Sequence, residues 1–191
     1  MKTFELKGAE RSDLGKKATK ASRKDDLIPA VLYGGGDNAK HFTVSQADVR
    51  KLIYTPEIYI VNLTIGGETV KAILKDLQFH PVTDAILHID FLHVYDDKPI
   101  VIDVPVELEG LAEGVKAGGK LSLDMRKLKV KALYKDIPEN LHINIESLTL
   151  GKSIQVGELS FDKLELLNAK NAVVCRVQLT RAARGAAAKG N

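Results

Sequence analysis

A dense group of cationic side chains lies in LGKKATKASRK, residues 14–24, which holds five lysines and arginines and no acidic residue. If the run forms a short helix beginning after Gly15, four of its residues share one face at positions i, i+3, i+4 and i+7: Lys16, Thr19, Lys20 and Arg23. Cations neutralise phosphates and a hydroxyl bonds their oxygens, so this face predicts binding to a phosphate backbone. The alternative is a solvated helix face without a partner.

A histidine and a carboxylate also fall at a suggestive spacing. His88 and Asp90 alternate along AILHIDFLHVYDD, so that both would project from one face of a strand. The pair could bind a metal ion, or the two side chains could simply bond to each other within the fold. The five histidines show no zinc-type spacing, and a single cysteine cannot complete one. We therefore expect no metal site.

Other catalytic chemistry finds little support. Cys175 lies in the apolar run AVVCRVQL, which is typical of a small buried thiol. The stretch GLAEGVKAGG lacks the lysine followed by serine or threonine of a phosphate-binding Walker loop. No serine sits in a nucleophile elbow, and no two carboxylates are brought together in a secluded setting. The sequence thus predicts neither catalytic residues nor a cofactor, and a protein that is not an enzyme.

Charge is local in this chain of 191 residues, whose formal net charge is only +3. Residues 1–95 hold 13 basic and 12 acidic side chains, and residues 96–179 hold 12 and 13. Partner binding therefore has to be explained by the patch at residues 11–24 and not by a generally cationic protein. No apolar run is long enough to span a membrane, and charged residues interrupt the start where a signal peptide would need an apolar core. We expect a cytoplasmic protein.

The elements that must position these residues are mostly strands. The first half shows about six short apolar or alternating runs, including MKTFELKGAER, LIPAVLYGGG and HFTVS, with Ser45 as the expected cap of a following helix. Gly66 and Gly67 predict a hairpin turn within IYIVNLTIGGETVKAILKDLQFHP. Six short strands with one or two short helices predict a small closed or nearly closed β-barrel.

A second mainly β domain is expected after DDKP interrupts the apolar pattern. IVIDVPVELEG, LKVKALY, LHINIESL and AVVCRVQL read as strands, with the glycine-rich GLAEGVKAGGKLSLD as a connection. The predicted organisation is a barrel domain at 1–95, a mainly β domain at 96–179 and a basic flexible tail at 180–191.

Several separated motifs carry a family resemblance: ATKASRK, IPAVLYGGG, KDLQFHPV and LHIDFLHV, with Arg11, Gly15 and Lys16. Together they resemble the bacterial large-subunit ribosomal protein L twenty-five family. GVKAGGKL followed by IPENLHINIESLTLGKSIQVGEL resembles the additional C-terminal domain of its longer members, called general stress protein Ctc or the TL-five type. The resemblance covers nearly the whole chain, up to about Leu179.

The resemblance implies a structural protein of the large ribosomal subunit that binds 5S ribosomal RNA at its loop E region and helps to build the central protuberance. Carried over by position, it implies RNA contacts from nine residues: Arg11, Lys16, Thr19, Lys20, Arg23, Tyr33, Gln78, His88 and Asp90. The cations would hold phosphates, and the hydroxyls would bond backbone or sugar oxygens. Gln78, His88 and Asp90 suit specificity, since a carboxylate near RNA needs a base amino group or a 2′-hydroxyl to accept from.

The same resemblance implies a ribosome-associated protein whose first domain anchors RNA. The second domain, nearly neutral in charge, would contact neighbouring ribosomal proteins or RNA. No membrane and no small-molecule substrate is expected. Two other possibilities remain at this point: an enzyme acting on RNA, and a stress-response module that binds proteins through its β edges without specific RNA binding.

Overall fold

A computed structural model describes residues 1–34 and 39–180 of the chain. Contacts group the chain into two compact units. The first comprises Met1–Ile100 together with Leu133–Lys135, and the second comprises Val101–Ala132 and the chain from Asp136 onward. This grouping differs in detail from the expected division at residues 95 and 96, which stays a prediction. The fold class is confirmed, because both units are built mainly from short strands.

The first unit is a closed six-stranded barrel with the strand order β1-β3-β2-β6-β5-β4. Its strands are β1 (Lys2–Glu10), β2 (Leu27–Tyr33), β3 (Lys40–Ser45), β4 (Tyr59–Ile65), β5 (Glu68–Phe79) and β6 (Ile86–His93). The barrel closes because β1 pairs in parallel with β4 along its length and antiparallel with β3 near its end. Within residues 1–34 and 39–100, each strand of the barrel therefore has a neighbouring strand on both sides.

Alternating side chains fill the barrel. Phe42 and Phe91 are fully buried and stack with ring centroids 5.8 Å apart. Gly8 of β1 makes room for this pair, because a Cβ at that position would lie 2.5 Å from Cδ2 of Phe42. The predicted hairpin is confirmed: Gly66 and Gly67 both adopt positive φ, as the tight turn between β4 and β5 requires.

Two helices belong to the barrel unit. Helix α1 (Lys16–Lys24) follows Gly15 as the sequence predicts, packs beside β2, and contains no fully buried residue. Helix α2 (Gln46–Ile53) buries Val49 and Leu52 in the barrel core. Ser45 is the N-cap residue of α2, as expected, although its side chain makes no capping hydrogen bond.

The second unit contains two small sheets. One has the order β10-β7-β9-β12 and the other β11-β13-β8. The elements are β7 (Ile100–Glu109), α3 (Glu113–Lys116), β8 (Lys120–Leu123), β9 (Lys127–Ala132), β10 (Leu141–Asn144), β11 (Ser153–Gln155), a 3-10 turn (Val156–Glu158), β12 (Glu165–Leu166) and β13 (Val173–Gln178). Cys175 is fully buried in β13, and burial raises the pKa of its thiol. It is the inert core cysteine that the sequence predicts.

One expectation for the second unit is wrong. GLAEGVKAGGKLSLD is not only a connection, because it contains α3 and β8, and β8 pairs with β13. Both elements are four residues long, too short for a clear periodic pattern. Gly35 and Gly36, two of the glycines expected to close β2, lie outside the described residues. So does the tail from residue 181 onward.

Candidate nucleic-acid interface

Helix α1 presents the cations that the sequence singles out. Gly15 precedes it in an extended conformation, and Asp25 ends it. Thr19 and Ser22 are half-buried on the side toward the barrel, whereas Lys16 and Lys20 are exposed. The two lysines therefore project their ammonium groups into solvent, as phosphate binding requires.

The start of α1 is tied down by Arg11 and Thr19. The Arg11 guanidinium donates from Nη2 to Oγ1 of Thr19 at 3.0 Å and from Nε to the carbonyl oxygen of Asp13 at 3.1 Å. The Thr19 hydroxyl in turn donates to the carbonyl oxygen of Gly15 at 3.0 Å. In the free protein both side chains thus hold the loop and first turn of the helix in place. RNA contact by Arg11 and Thr19 stays a prediction.

The end of α1 is tied to strand β6 by Arg23. Its Nε and Nη2 donate to the carbonyl oxygen of Leu87 at 3.1 and 2.8 Å. That carbonyl sits at a β-bulge, because Gln78 of β5 pairs with His88 and Phe79 pairs with Ile86, which leaves Leu87 without a partner in the β5–β6 register. Arg23 therefore joins the helix to the residue immediately before His88.

The outer face of β2, β5 and β6 collects the other predicted residues. Ile89 and Phe91 are fully buried toward the core, so the alternating His88 and Asp90 face outward. Gln78 lies directly opposite His88 in the antiparallel β5–β6 pair. Tyr33, next to the buried Leu32, faces outward at the end of β2. One face of three neighbouring strands thus brings together four predicted residues: Tyr33, Gln78, His88 and Asp90.

His88 and Asp90 form a hydrogen-bonded pair. Nδ1 of His88 lies 2.7 Å from Oδ1 of Asp90, and the two side chains are 28 and 27% exposed. A carboxylate accepts and does not donate, so Nδ1 carries the proton of this bond. The bond leaves Nε2 as the ring atom able to meet a ligand. The intramolecular contact that the sequence left open therefore exists, and it orients the imidazole.

Asp76 is a residue of this face that the sequence reasoning missed. It lies opposite Asp90 in the β5–β6 register, across a bulge between Leu74 and Asp76. Two carboxylates facing each other across strands repel. Partial burial raises the pKa of Tyr33 above its ordinary value, and the charges of Asp90 and Asp76 raise it further. The Tyr33 phenol therefore keeps its proton and remains a hydrogen-bond donor at neutral pH. Alternation within KDLQFHPV, two residues before Gln78, was the available signal for Asp76.

The described residues, 1–34 and 39–180, contain no cluster of three or more histidine, cysteine or carboxylate side chains that could hold a metal ion. In the same part of the chain, no helix combines the length and apolar character needed to cross a bilayer. The candidate interface consists of a cationic helix, tied by Arg23 to β6, and a sheet face that carries hydrogen-bonding and acidic groups.

Each of the two units matches a known protein family. Residues 6–91 match the model of the Ribosomal L25p family, and residues 99–181 match that of the ribosomal protein TL5, C-terminal domain. Relatives named large ribosomal subunit protein bL25 align along the chain. The protein of Porphyromonas gingivalis is 67% identical over 190 residues, covering 99% of each chain. Those of Parabacteroides distasonis and Bacteroides fragilis are 64% identical over 195 residues and 61% over 193.

The fold and these matches define a two-domain ribosomal protein, of a class that is structural and not enzymatic. The chain belongs to the Ribosomal L25p family, in the form that also carries the TL5 C-terminal domain. The resemblance noted from the separated motifs is thereby confirmed over both halves of the sequence.

Proposed function

We propose that this protein is a structural component of the large ribosomal subunit that binds 5S ribosomal RNA at its loop E region and helps to build the central protuberance. It would act in the cytoplasm, on the ribosome. The observation that carries the proposal is that Arg23 ties α1 to the outer face of β2, β5 and β6. The chain's membership of a family of ribosomal proteins gives this surface its expected partner. The names of the relatives, which place those proteins in the large subunit, support it.

The helix would supply affinity. Lys16 and Lys20 are exposed on neighbouring turns and would bind consecutive phosphates. Such contacts release counterions and therefore weaken steeply as the salt concentration rises. They carry no sequence information, so any RNA duplex would be attracted to α1 to some degree.

The strand face would supply specificity. Double-stranded RNA shows proteins a wide, shallow minor groove with base edges and 2′-hydroxyls. The Tyr33 hydroxyl donates, the Gln78 amide donates and accepts, and Nε2 of His88 is directed to a ligand by the bond from Nδ1 to Asp90. The carboxylates of Asp90 and Asp76 would repel a phosphate but could accept from a base amino group or a 2′-hydroxyl.

The second unit would serve as a satellite that contacts neighbouring ribosomal proteins or RNA. The nearly equal numbers of acids and bases in residues 96–179 favour this division, because a surface built to hold phosphates normally carries excess positive charge. Its exposed lysines on β9, Lys127 and Lys129, therefore provide charge-matched controls for substitutions on α1.

The proposal is tested by titrating the full chain against 5S ribosomal RNA and against an unrelated duplex of equal length, across a salt series. We expect a preference for 5S RNA of roughly a thousandfold. Replacing Lys16 and Lys20 by Gln should weaken binding to both RNAs and reduce the slope of log affinity against log salt by about 1 per lost phosphate contact.

The base-reading side is tested with His88→Ala. This variant should lose preference for 5S RNA while keeping the salt slope of the wild type, because the imidazole is placed for groove contacts and not for phosphates. Replacing Lys127 and Lys129 by Gln should leave both quantities unchanged. Equal, weak binding of both RNAs by the wild-type protein would refute the proposed function.

A further inference from the structure

The outward face of the sheet β11-β13-β8 in the second unit carries a polar row centred on Arg176. Cys175 and Val177 are buried on either side of Arg176 in β13, so its side chain projects to solvent. Ser122 of β8 and Ser153 of β11 lie directly opposite Arg176 in the two antiparallel pairs. Side chains at directly opposite positions share a face, with Cβ atoms about 4.5–5.5 Å apart. A guanidinium flanked by two hydroxyls therefore lies at the middle of this face.

Asp124 holds the guanidinium from one side. Its Oδ2 lies 3.1 Å from Nε of Arg176, and its Oδ1 accepts from Oγ of Ser122 at 2.9 Å. Within residues 1–34 and 39–180, Asp124 is the ion-pair partner of Arg176, and the pair engages Nε. The two terminal nitrogens keep four N–H donors, and half of the side chain is exposed. These donors form a planar fork, which matches the oxygens of a phosphate or a carboxylate.

The charges around Arg176 distinguish this face from the rest of its unit. The three strands contain two cations and no acidic residue. The second cation, Lys120, is exposed and lies opposite Gln178, which is two residues along β13 from Arg176 and shares its face. Diagonal neighbours of this kind are about 7–8 Å apart. In the part of the chain that the structure describes, Lys120 forms no ion pair. The face is therefore cationic in a unit that is nearly neutral as a whole.

We infer that Arg176 binds a phosphate of the ribosomal RNA of the large subunit, with Ser153 donating to the same group and Lys120 holding a neighbouring phosphate. A single protein carboxylate would satisfy Arg176 alone, whereas an RNA strand offers successive phosphates to both cations. Serine hydroxyls also bond to backbone oxygens of nucleic acids. The inference rests on the proposed function, which assigns 5S RNA to the barrel unit, so we expect these phosphates in the remaining RNA of the subunit.

Salt dependence tests the contact. The full chain is titrated against large ribosomal subunits from cells that lack this protein, and against isolated 5S RNA. Arg176→Gln should reduce the slope of log affinity against log salt by about 0.7–0.9 for the subunits and leave the slope for 5S RNA unchanged. If the contact contributes nothing at about 1 M salt, this corresponds to about four- to sixfold weaker binding to the subunits at about 0.15 M. Lys120→Gln should give a similar reduction, and Lys129→Gln, from the other sheet of the same unit, should give none.

Two further measurements separate binding from folding. Arg176→Lys keeps the charge and loses the fork, so it should retain the salt slope of the wild type while binding the subunits more weakly. Cys175, the next residue in the buried strand, should stay unreactive toward a thiol reagent in every variant. Weaker binding then cannot be attributed to opening of β13.

The outcomes are distinguishable from failure of the proposed function. Unchanged binding of Arg176→Gln to the subunits would overturn the inference alone. So would weaker binding with an unchanged slope, because an acidic protein surface lacks the condensed counterions that RNA releases. An equal effect of Arg176→Gln on 5S RNA would overturn the assignment to other ribosomal RNA. Wild-type protein that binds 5S RNA no better than the unrelated duplex would refute the proposed function, on which the inference rests.

Discussion

Arg23 ties helix α1 to strand β6, and this contact leads to the most specific prediction about a single residue. A phosphate contact needs only positive charge, whereas the observed contact needs a planar fork, since Nε and Nη2 of Arg23 converge on a single carbonyl oxygen of Leu87. The change Arg23→Lys keeps the charge and removes the fork, and Arg23→Gln removes both. The two roles therefore predict different behaviour for the lysine variant.

The size of the effect follows from the geometry. Hydrogen bonds to a charged group contribute about 1.5–3 kcal/mol, but both donors of Arg23 share one acceptor and the side chain is exposed. We therefore expect the free energy needed to open α1 away from β6 to fall by about 1 kcal/mol when this contact is lost. Such a loss corresponds to a roughly fivefold increase in the population of the open helix. Arg23→Lys should lose most of this stabilisation.

Native-state hydrogen exchange measures the opening directly, because it reports the local stability of individual amides. Amides within α1, including that of Thr19, which donates to the carbonyl oxygen of Gly15, should exchange about fivefold faster in Arg23→Lys. Amides in the barrel strand β4 should keep their protection. With 5S ribosomal RNA, the same variant should bind more weakly while its salt slope stays that of the wild type.

A different pattern would refute the assignment. If Arg23 served only as a phosphate contact, Arg23→Lys would exchange like the wild type and retain most of its affinity. Arg23→Gln would then reduce the salt slope by about 1 without altering exchange in α1. Lys20→Gln provides the matched comparison, because it removes one charge from the helix without removing a tie.

Two further predictions concern the strand face and the barrel. Asp90→Asn should lower the pKa of Tyr33 toward its ordinary value of 10.0, which ultraviolet titration against a Tyr33→Phe blank would detect. Because the folded state raises this pKa, ionisation of Tyr33 lowers the free energy of unfolding as the pH rises above about 10. Tyr33→Phe should remove the share of this decrease that comes from Tyr33. Gly8→Ala should destabilise the barrel by about 1–3 kcal/mol in denaturant unfolding, with partial rescue by Phe42→Leu. An unchanged pKa, or an unchanged unfolding midpoint in Gly8→Ala, would contradict the respective prediction.

Sequence patterns were sufficient where the determining interactions are local. Helix α1 follows a glycine and consists of residues with no alternating pattern, and the hairpin at Gly66 and Gly67 uses residues that tolerate positive φ. The outward direction of His88 and Asp90 follows from the apolar alternation of β6. These features could be predicted because each depends on a few consecutive residues.

The patterns failed where tertiary register decides the outcome. Arg23 finds an acceptor only because a bulge leaves Leu87 unpaired in the β5–β6 register, and no local pattern marks that bulge. Asp76 comes opposite Asp90 only through a second bulge in the same strand pair. The sequence therefore did not reveal that Arg23 ties α1 to β6, and it left out Asp76; RNA contact by Arg23 stays a prediction.

The opposed carboxylates clarify how a cationic helix can serve a specific partner. Lysines on α1 would attract any duplex, and that attraction alone cannot discriminate. Asp76 and Asp90, opposite each other beside the helix, raise the free energy of any complex that places a phosphate against the strand face. An RNA that presents amino groups or 2′-hydroxyls there instead satisfies the carboxylates and the oriented His88. Under the proposed function, specificity therefore depends on this local repulsion as much as on attraction. A variant in which Asp76 is neutralised should bind the unrelated duplex more tightly than the wild type does, without a matching gain in affinity for 5S RNA.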